Sequence, residues 1–290
     1  MSTLPALPAW GSRTFIMGII NLTPDSFSGD GLACNASVVE AAVAQARRMV
    51  AEGADMLDLG AESSRPGALP LAADVEQERL LPALKAVLHE DLGMIISVDT
   101  YKASTARAAL QLGAHWLNDI WGFKADPEIA SVAAEFGAPS VLMHNRSAPP
   151  QLEKTVGGHY QGIEYTNLIG EICIGLMESA ELALQAGLPH EKVMLDPGIG
   201  FGKDPTQNLE ILDRLREFRT LGYPLLIGPS RKSFIGRVLD LPPEERLEGT
   251  LAALALGISN GADIVRVHDV KAAVRAARVA DAITRRPAAG

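Results

Sequence analysis

The chain has 290 residues, 47% of them hydrophobic and 21% charged, the make-up of an ordinary globular protein. Its formal net charge of −9 argues against nucleic acid or an anionic membrane as the main partner. Two cysteines, Cys34 and Cys173, offer neither a disulfide framework nor metal-ligand spacing, so both are expected to be reduced thiols in a cytoplasmic protein. Met1–Arg13 lacks the basic start and apolar core of a signal peptide. The longest apolar run, Leu251–Ile258, is far shorter than the ~20 residues that span a bilayer.

In chain order, short runs rich in Ile, Val, Leu and Met alternate with longer stretches of helical period. The first run is Phe15–Ile20. Beyond a loop, Val39, Val43, Ala46 and Val50 step by four, three and four, the spacing of one helix face, and Gly53 is placed to end it. The next runs are Met56–Leu59, Met94–Val98, His115–Ile120, Ser140–Met143, Val193–Leu195, Leu225–Ile227 and Ile264–Val267, which makes eight strand candidates. Helical stretches separate them near Asp74–His89, Lys102–Leu112, Pro127–Phe136, Tyr165–Ala186, Asn208–Leu221, Glu244–Asn260 and Val270–Thr284. The runs do not alternate apolar with polar, so the strands are expected to be buried on both faces, as parallel strands are. Eight strand–helix repeats predict a single-domain (β/α)8, or TIM, barrel over the whole chain. A doubly wound sheet is the alternative, but it usually has fewer strands and a phosphate loop after the first.

No Ser/Gly/Pro-rich or charged spacer divides the chain, and only the tail Arg285–Gly290 is of low complexity. Three connections are long: Asn21–Ser37, Gly60–Ala72 and Asn145–Ile163. All follow strands, so a barrel places them on one face, where long loops serve as lids or binding loops.

The stretch Val193–Lys203, V-M-L-D-P-G-I-G-F-G-K, concentrates the chemistry. A short buried strand stops at Asp196, Pro197 withholds a ladder donor, and Gly198, Gly200 and Gly202 leave a loop that a ligand could approach closely. A carboxylate there either caps the turn or meets a ligand, and so open a loop favours the ligand. The G-x-x-x-G-K string is one residue short of a P-loop, and Asp204 stands where Ser or Thr should follow.

Every candidate strand ends in polar residues: Asn21; Asp58 with Glu62; Asp99; Asn118 and Asp119; His144 and Asn145; Asp196; Ser230-Arg231-Lys232; Arg266 with His268. In a barrel these ends converge on one mouth, where the active sites of this fold lie. Asp99, Asn118 and Asp196 form an acceptor-rich half suited to a flat heterocycle with N–H donors, with Met143 and Phe201 as apolar walls. Arg65, Arg231, Lys232, Arg266 and His268 form a cationic half suited to an anion, with Asn21 and the Ser63-Ser64-Arg65 turn as neutral donors. No G-x-S-x-G elbow marks a serine hydrolase, and no H-x-H or H-E-x-x-H marks a tightly held zinc. His89, His115, His159 and His190 are expected to be surface or packing residues.

These residues fall in strings that resemble the dihydropteroate synthase family. They are Met17–Gly31, Asp58–Gly67, Ser97–Thr100, Asn118-Asp119, Asp196–Lys203, Ser230–Gly236 and Arg266–His268, in order over about residues 13–285. The resemblance implies an enzyme of folate synthesis that joins para-aminobenzoate to 6-hydroxymethyl-7,8-dihydropterin pyrophosphate, releasing pyrophosphate. It implies that Asp99, Asn118, Asp196 and Lys232 hold the pterin, with Met143 and Phe201 packing its ring. Asn21, Arg65, Arg266 and His268 would bind the pyrophosphate, with Mg2+ shared between it and Asn21. Phe27, Ser64, Arg65, Pro66, Lys232 and Ser233 would frame the aminobenzoate. Asn21, Arg65, Lys232, Arg266 and His268 are thereby the candidates for the chemical step. A homodimer is also implied, although Val270, Val274, Ala277 and Ala280 are equally explained as a face packed on the barrel.

The chain departs from the family's usual strings. Ala61 and Ser64 stand where the second loop commonly has Gly and Thr, the first loop ends S-G-D-G rather than S-D-G-G, and Pro229 precedes Ser230. These changes bear on loop rigidity and on the response to sulfonamides, which mimic aminobenzoate. Two rivals remain: a pterin-binding methyltransferase barrel, which has little use for S-R-K-S and R-V-H together, and a silent paralogue that binds pterin as a scaffold.

Overall fold

The eight apolar runs become eight strands in a computed structural model that describes residues 5–23, 34–63, 70–146 and 164–285. The strands are β1 Phe15–Asn21, β2 Met56–Gly60, β3 Ile95–Asp99, β4 Trp116–Asp119, β5 Ser140–Met143, β6 Val193–Asp196, β7 Leu226–Ile227 and β8 Ile264–Val267. The helices are α1 Cys34–Glu52, α2 Ala73–His89, α3 Ala103–Leu112, α4 Ile129–Phe136, α5 Leu168–Gln185, α6 Pro205–Asp213, α7 Ser233–Leu239, α8 Leu247–Ser259 and α9 Val270–Thr284. Every named pairing is parallel, in the order β6-β5-β4-β3-β2-β1-β8-β7. An isolated bridge from Leu195 to Leu225, backed by Leu195 N donating to Pro224 O at 2.9 Å, closes β6 on β7. The result is the expected TIM barrel. Among the described residues, no helix is long and apolar enough to cross a membrane.

Differences from the sequence reading are local. The helical stretch read over Asn208–Leu221 divides into α6 and a 3-10 helix at Leu215–Leu221. The short α7 falls where the sequence reading placed no helix. Gly53 ends α1 as expected, with φ of +99°.

Two packed layers follow from the parallel sheet. Outside the barrel, Ile16, Ile20, Leu57 and Val98 meet helix residues such as Leu80, Leu84, Ala106 and Ala273, all buried. Inside, Phe15, Met17, Met56, Ile95, Trp116, Val141, Met194, Leu226 and Ile264 fill the base, and the leading segment lays Leu7 and Trp10 beneath them. Trp10 meets Phe15 edge-on at 5.6 Å between centroids and lies 6.3 Å from Trp116. One end of the barrel is therefore plugged, and ligands enter at the other.

Candidate active site

Inward-facing positions recur every second residue along a strand. On that register the base is apolar and the mouth polar. Met17 leads to Ile19 and Asn21, Ile95 to Ser97 and Asp99, Trp116 to Asn118, Val141 to Met143, Met194 to Asp196, and Ile264 to Arg266. The upper members line a cavity of about 1100 Å³ together with Phe201, Lys203, Lys232, Ser233 and His268. Of the expected site residues, Asn21, Asp99, Asn118, Met143, Asp196, Phe201, Lys232, Ser233, Arg266 and His268 are thus brought together. Phe27, Ser64, Arg65 and Pro66 lie outside the described residues.

Asp119 and His144, also read as strand-end groups, do not line the cavity. Consecutive strand residues face opposite sides, so Asn118 facing in turns Asp119 out. There its two oxygens accept the Trp121 and Phe123 N–H groups at 2.7 and 2.8 Å and fix the following turn. The expected surface or packing role holds for three of the other histidines: His89 is exposed, His115 Nδ1 accepts Ile96 N at 2.9 Å, and His190 stacks on Tyr223 at 4.2 Å, while His159 lies outside the described residues.

The acceptor and cationic halves interlock rather than standing apart. Arg266 donates Nε to Asp58 Oδ2 at 2.6 Å and Nη2 to Asp99 Oδ2 at 2.8 Å. The same Asp58 oxygen accepts Asn118 Nδ2 at 2.9 Å. Burial opposes the Arg266 charge, but Asp58 and Asp99 outweigh it and hold the proton more tightly than usual. Asp99 keeps 18% side-chain exposure through the mouth. Desolvation nevertheless lifts its carboxyl to about 7, against the pull of Arg266 and with the push of Asp58.

Asp196 serves both turn and cavity. Its Oδ1 accepts Gly198 N at 2.7 Å, which caps the turn, while the side chain lines the mouth. Burial raises its carboxyl to about 6 despite Gly198 N–H, Lys203 and Lys232. Lys232, just before α7, sets its Nζ 4.0 Å from the Phe201 ring centroid, a cation–π contact on the wall of the cavity. Burial, and Arg266 after it, lower the ammonium to about 8.

His268 follows β8, with its Nδ1 3.0 Å from Ser230 Oγ. Burial and then Arg266 push its imidazole down to about 4, so it is neutral at pH 7. Ser230 Oγ also accepts the His268 backbone N–H at 3.3 Å. With the Ser230 hydroxyl hydrogen turned to Nδ1, the neutral ring would carry its own hydrogen on Nε2 as a donor. Arg231 differs from the reading of a free cation: Asp269 takes its Nε and Nη2 at 3.0 and 2.7 Å. Its backbone sits at φ +59°, a sparsely populated region for a non-glycine residue, in the turn that presents Lys232.

Lys203 was visible in the sequence only as part of a failed P-loop. The structure buries it, with Nζ donating to Gly198 O at 3.0 Å and Phe201 O at 2.9 Å and lying 3.2 Å from His144 Nδ1. It thus braces the glycine loop from within. A Lys straight after three spaced glycines was the signal, but its partners are main-chain carbonyls rather than a phosphate. Glu62 at the rim takes Tyr101 OH at 2.9 Å, Lys102 Nζ, and the Leu71 N–H at 3.0 Å across the second loop.

A plugged barrel whose open mouth sets buried carboxylates beside a lysine, an arginine and a neutral histidine defines an enzyme for a small, N–H-rich molecule carrying an anionic group. The Pterin binding enzyme family matches residues 17–268. The dihydropteroate synthase of Bacillus subtilis is 47% identical over 97% of this chain and 92% of its own length. A crystal structure of the Clostridium difficile dihydropteroate synthase in the presence of pteroic acid superposes with a TM-score of 0.88 at 45% identity, covering 97% of this chain and 100% of that one. The Xanthomonas albilineans enzyme with 4-aminobenzoic acid gives 0.85 at 36% identity, covering 96% and 95%. The chain belongs to the dihydropteroate synthases of the pterin-binding enzyme family.

Proposed function

We propose that this mouth joins para-aminobenzoate to 6-hydroxymethyl-7,8-dihydropterin pyrophosphate with the following division of labour. Asp99, Asn118 and Asp196 accept the N–H donors of the pterin, Lys232 donates to it, and Met143 and Phe201 pack its ring. Arg266, the Nε2–H of neutral His268, Asn21 and Arg65 hold the pyrophosphate. Phe27, Ser64, Arg65, Pro66, Lys232 and Ser233 frame the aminobenzoate, the subsite a sulfonamide would share.

The nucleophile is the substrate's own aromatic amine. Its lone pair attacks the exocyclic methylene carbon of the pterin, the carbon–oxygen bond breaks, and the electron pair leaves with pyrophosphate. The amine nitrogen then gives up a proton to solvent. The protein's tasks are to orient the two substrates and to stabilise charge on the departing group. Among the described residues, Arg266, Lys232 and His268 stand at the mouth for these tasks.

Mg2+ is part of the same proposal. Among the described residues, no group of three or more His, Cys, Asp or Glu is arranged to hold an ion. Asn21 offers one neutral oxygen, which fits a hard cation bound chiefly by pyrophosphate oxygens. Such an ion would supply charge neutralisation at the leaving group.

The observation that carries this reading is the meeting of Asp99, Asn118 and Asp196 with Lys232, Arg266 and His268 around one cavity. Mixing the protein with both substrates and Mg2+ and following pyrophosphate tests it. Release in step with dihydropteroate is expected. Pterin binding without release would favour a scaffold, and pyrophosphate-independent turnover of a methylated donor would favour a methyltransferase. We read the reaction as cytoplasmic and the protein as a homodimer. Val270, Ala273, Ala277 and Ala280 pack on the barrel, while Leu256, Val279 and Ile283 are each more than 60% exposed and would meet a second copy. Light scattering at twice the chain mass checks the dimer.

A further inference from the structure

Asp58 is a buried polar group that the proposed chemistry leaves unused. It sits in the middle of β2, one inward layer below the mouth, and has no solvent exposure. Its Oδ2 gathers two of the proposed substrate contacts, Asn118 Nδ2 at 2.9 Å and Arg266 Nε at 2.6 Å. Its Oδ1 is buried with no partner among the described residues. A carboxylate held like this is costly, and a hydrophobic residue would fill the layer more cheaply.

The direction of each contact matters. An amide has one donating end and one accepting end. With Nδ2 turned down to Asp58, Asn118 offers its carbonyl to the cavity. Arg266 spends Nε on Asp58 and Nη2 on Asp99, which leaves Nη1 for a ligand. An uncharged group at residue 58 would release both choices: the Asn118 amide could turn over and oppose an N–H donor with its own N–H.

We propose that Asp58 is a positioning residue, whose single oxygen Oδ2 fixes the accepting face of Asn118 and the free edge of Arg266 toward the pterin. The inference rests on the functional reading above, and it deepens that reading by naming what orients its two contacts. Asp58 touches no substrate atom itself.

The test is Asp58→Asn in the full chain, which keeps shape and removes charge. Calorimetry with 6-hydroxymethyl-7,8-dihydropterin is expected to show at least tenfold weaker binding. The KM for para-aminobenzoate is expected to stay within twofold. In an Asn118→Ala background the same change is expected to add less than threefold, because of the two groups it acts through only Arg266 remains.

A loss of packing alone would not give the next result. Asp99 feels the charges of Arg266, Asp58, Glu76, Asp119 and Lys232, and Asp58 is among the groups that raise its carboxyl. The midpoint of pterin binding against pH is therefore expected to move to lower pH in Asp58→Asn. Parental affinity with a parental midpoint would overturn the proposal, as would an equal loss in both backgrounds. If Asp58→Asn does not fold, Asn118→Asp answers in its place. Beside native Asp58 the new carboxyl must be protonated to keep the contact, so its deficit against the parent is expected to shrink from pH 8 to pH 6. A deficit that does not change with pH would overturn the proposal. A parent chain that binds no pterin would instead sink the functional reading.

Discussion

Arg266→Ala exposes what the interlocked site costs to break. Its guanidinium is the partner of a fully buried Asp58 and of an Asp99 that opens only to the mouth. Removing one partner of a buried pair costs about 3–5 kcal/mol. Asp58 would keep only the Asn118 amide, and Asp99 would lose the main group holding its proton affinity down. The loss should depend on pH with a definite sign. An acid whose pKa is raised by folding is penalised in its charged form, so its stability is present at low pH and lost as pH rises through the folded value. Without Arg266, Asp99 titrates above its present value of about 7. The deficit is then expected to be smaller at pH 5.5 than at pH 8. At about 2–4 °C per kcal/mol, Tm at pH 8 should fall by roughly 6–20 °C. Urea unfolding at the two pH values measures the free energies directly. Turnover, measured where the variant is still folded, is expected to fall at least ~100-fold, about 2.7 kcal/mol of barrier. A variant within about 1 kcal/mol of the parent at pH 8, or a deficit that does not shrink on acidification, would refute the reasoning.

The remaining predictions concern the same mouth. The profile of kcat/KM against pH is expected to be bell-shaped, with an acid limb from Asp196 and Asp99 at about 6 and 7 and a basic limb from Lys232 at about 8. A flat profile across that window would contradict it. Gly198→Ala sets a Cβ 2.0 Å from the His144 carbonyl oxygen at a φ of +74°. It should cost more than the ~1–2 kcal/mol of the left-handed backbone alone, read by urea unfolding. Asp196→Asn keeps the turn bond from Gly198 but loses the charge, so pterin affinity by calorimetry should fall while stability is kept.

The barrel was legible because parallel strands buried on both faces read as unbroken apolar runs, and most strand ends fall within a residue of the expected place. The helix α7 was hidden by its length of seven residues and by Gly236 within it. Polar strand ends located the mouth, but the alternation of a strand had to be applied residue by residue to separate Asn118 from Asp119. The clasp of Arg266 on Asp58 and Asp99 joins residues 208 and 167 positions apart, and no spacing rule announces such a pair. Lys203 drew notice only at the end of a string that fails as a P-loop, because nothing in the string says that its ammonium turns inward to carbonyls.

The chain's three tryptophans are divided between the two ends of the barrel. Trp10 and Trp116 lie in the floor, while Trp121 stands just past β4 with its ring edge-on to Tyr101 at 6.5 Å. Intrinsic fluorescence therefore holds two separable signals, one for the integrity of the floor and one for events near the opening. A Trp121→Phe chain would report melting alone, and the difference from the parent would follow occupancy without any attached dye.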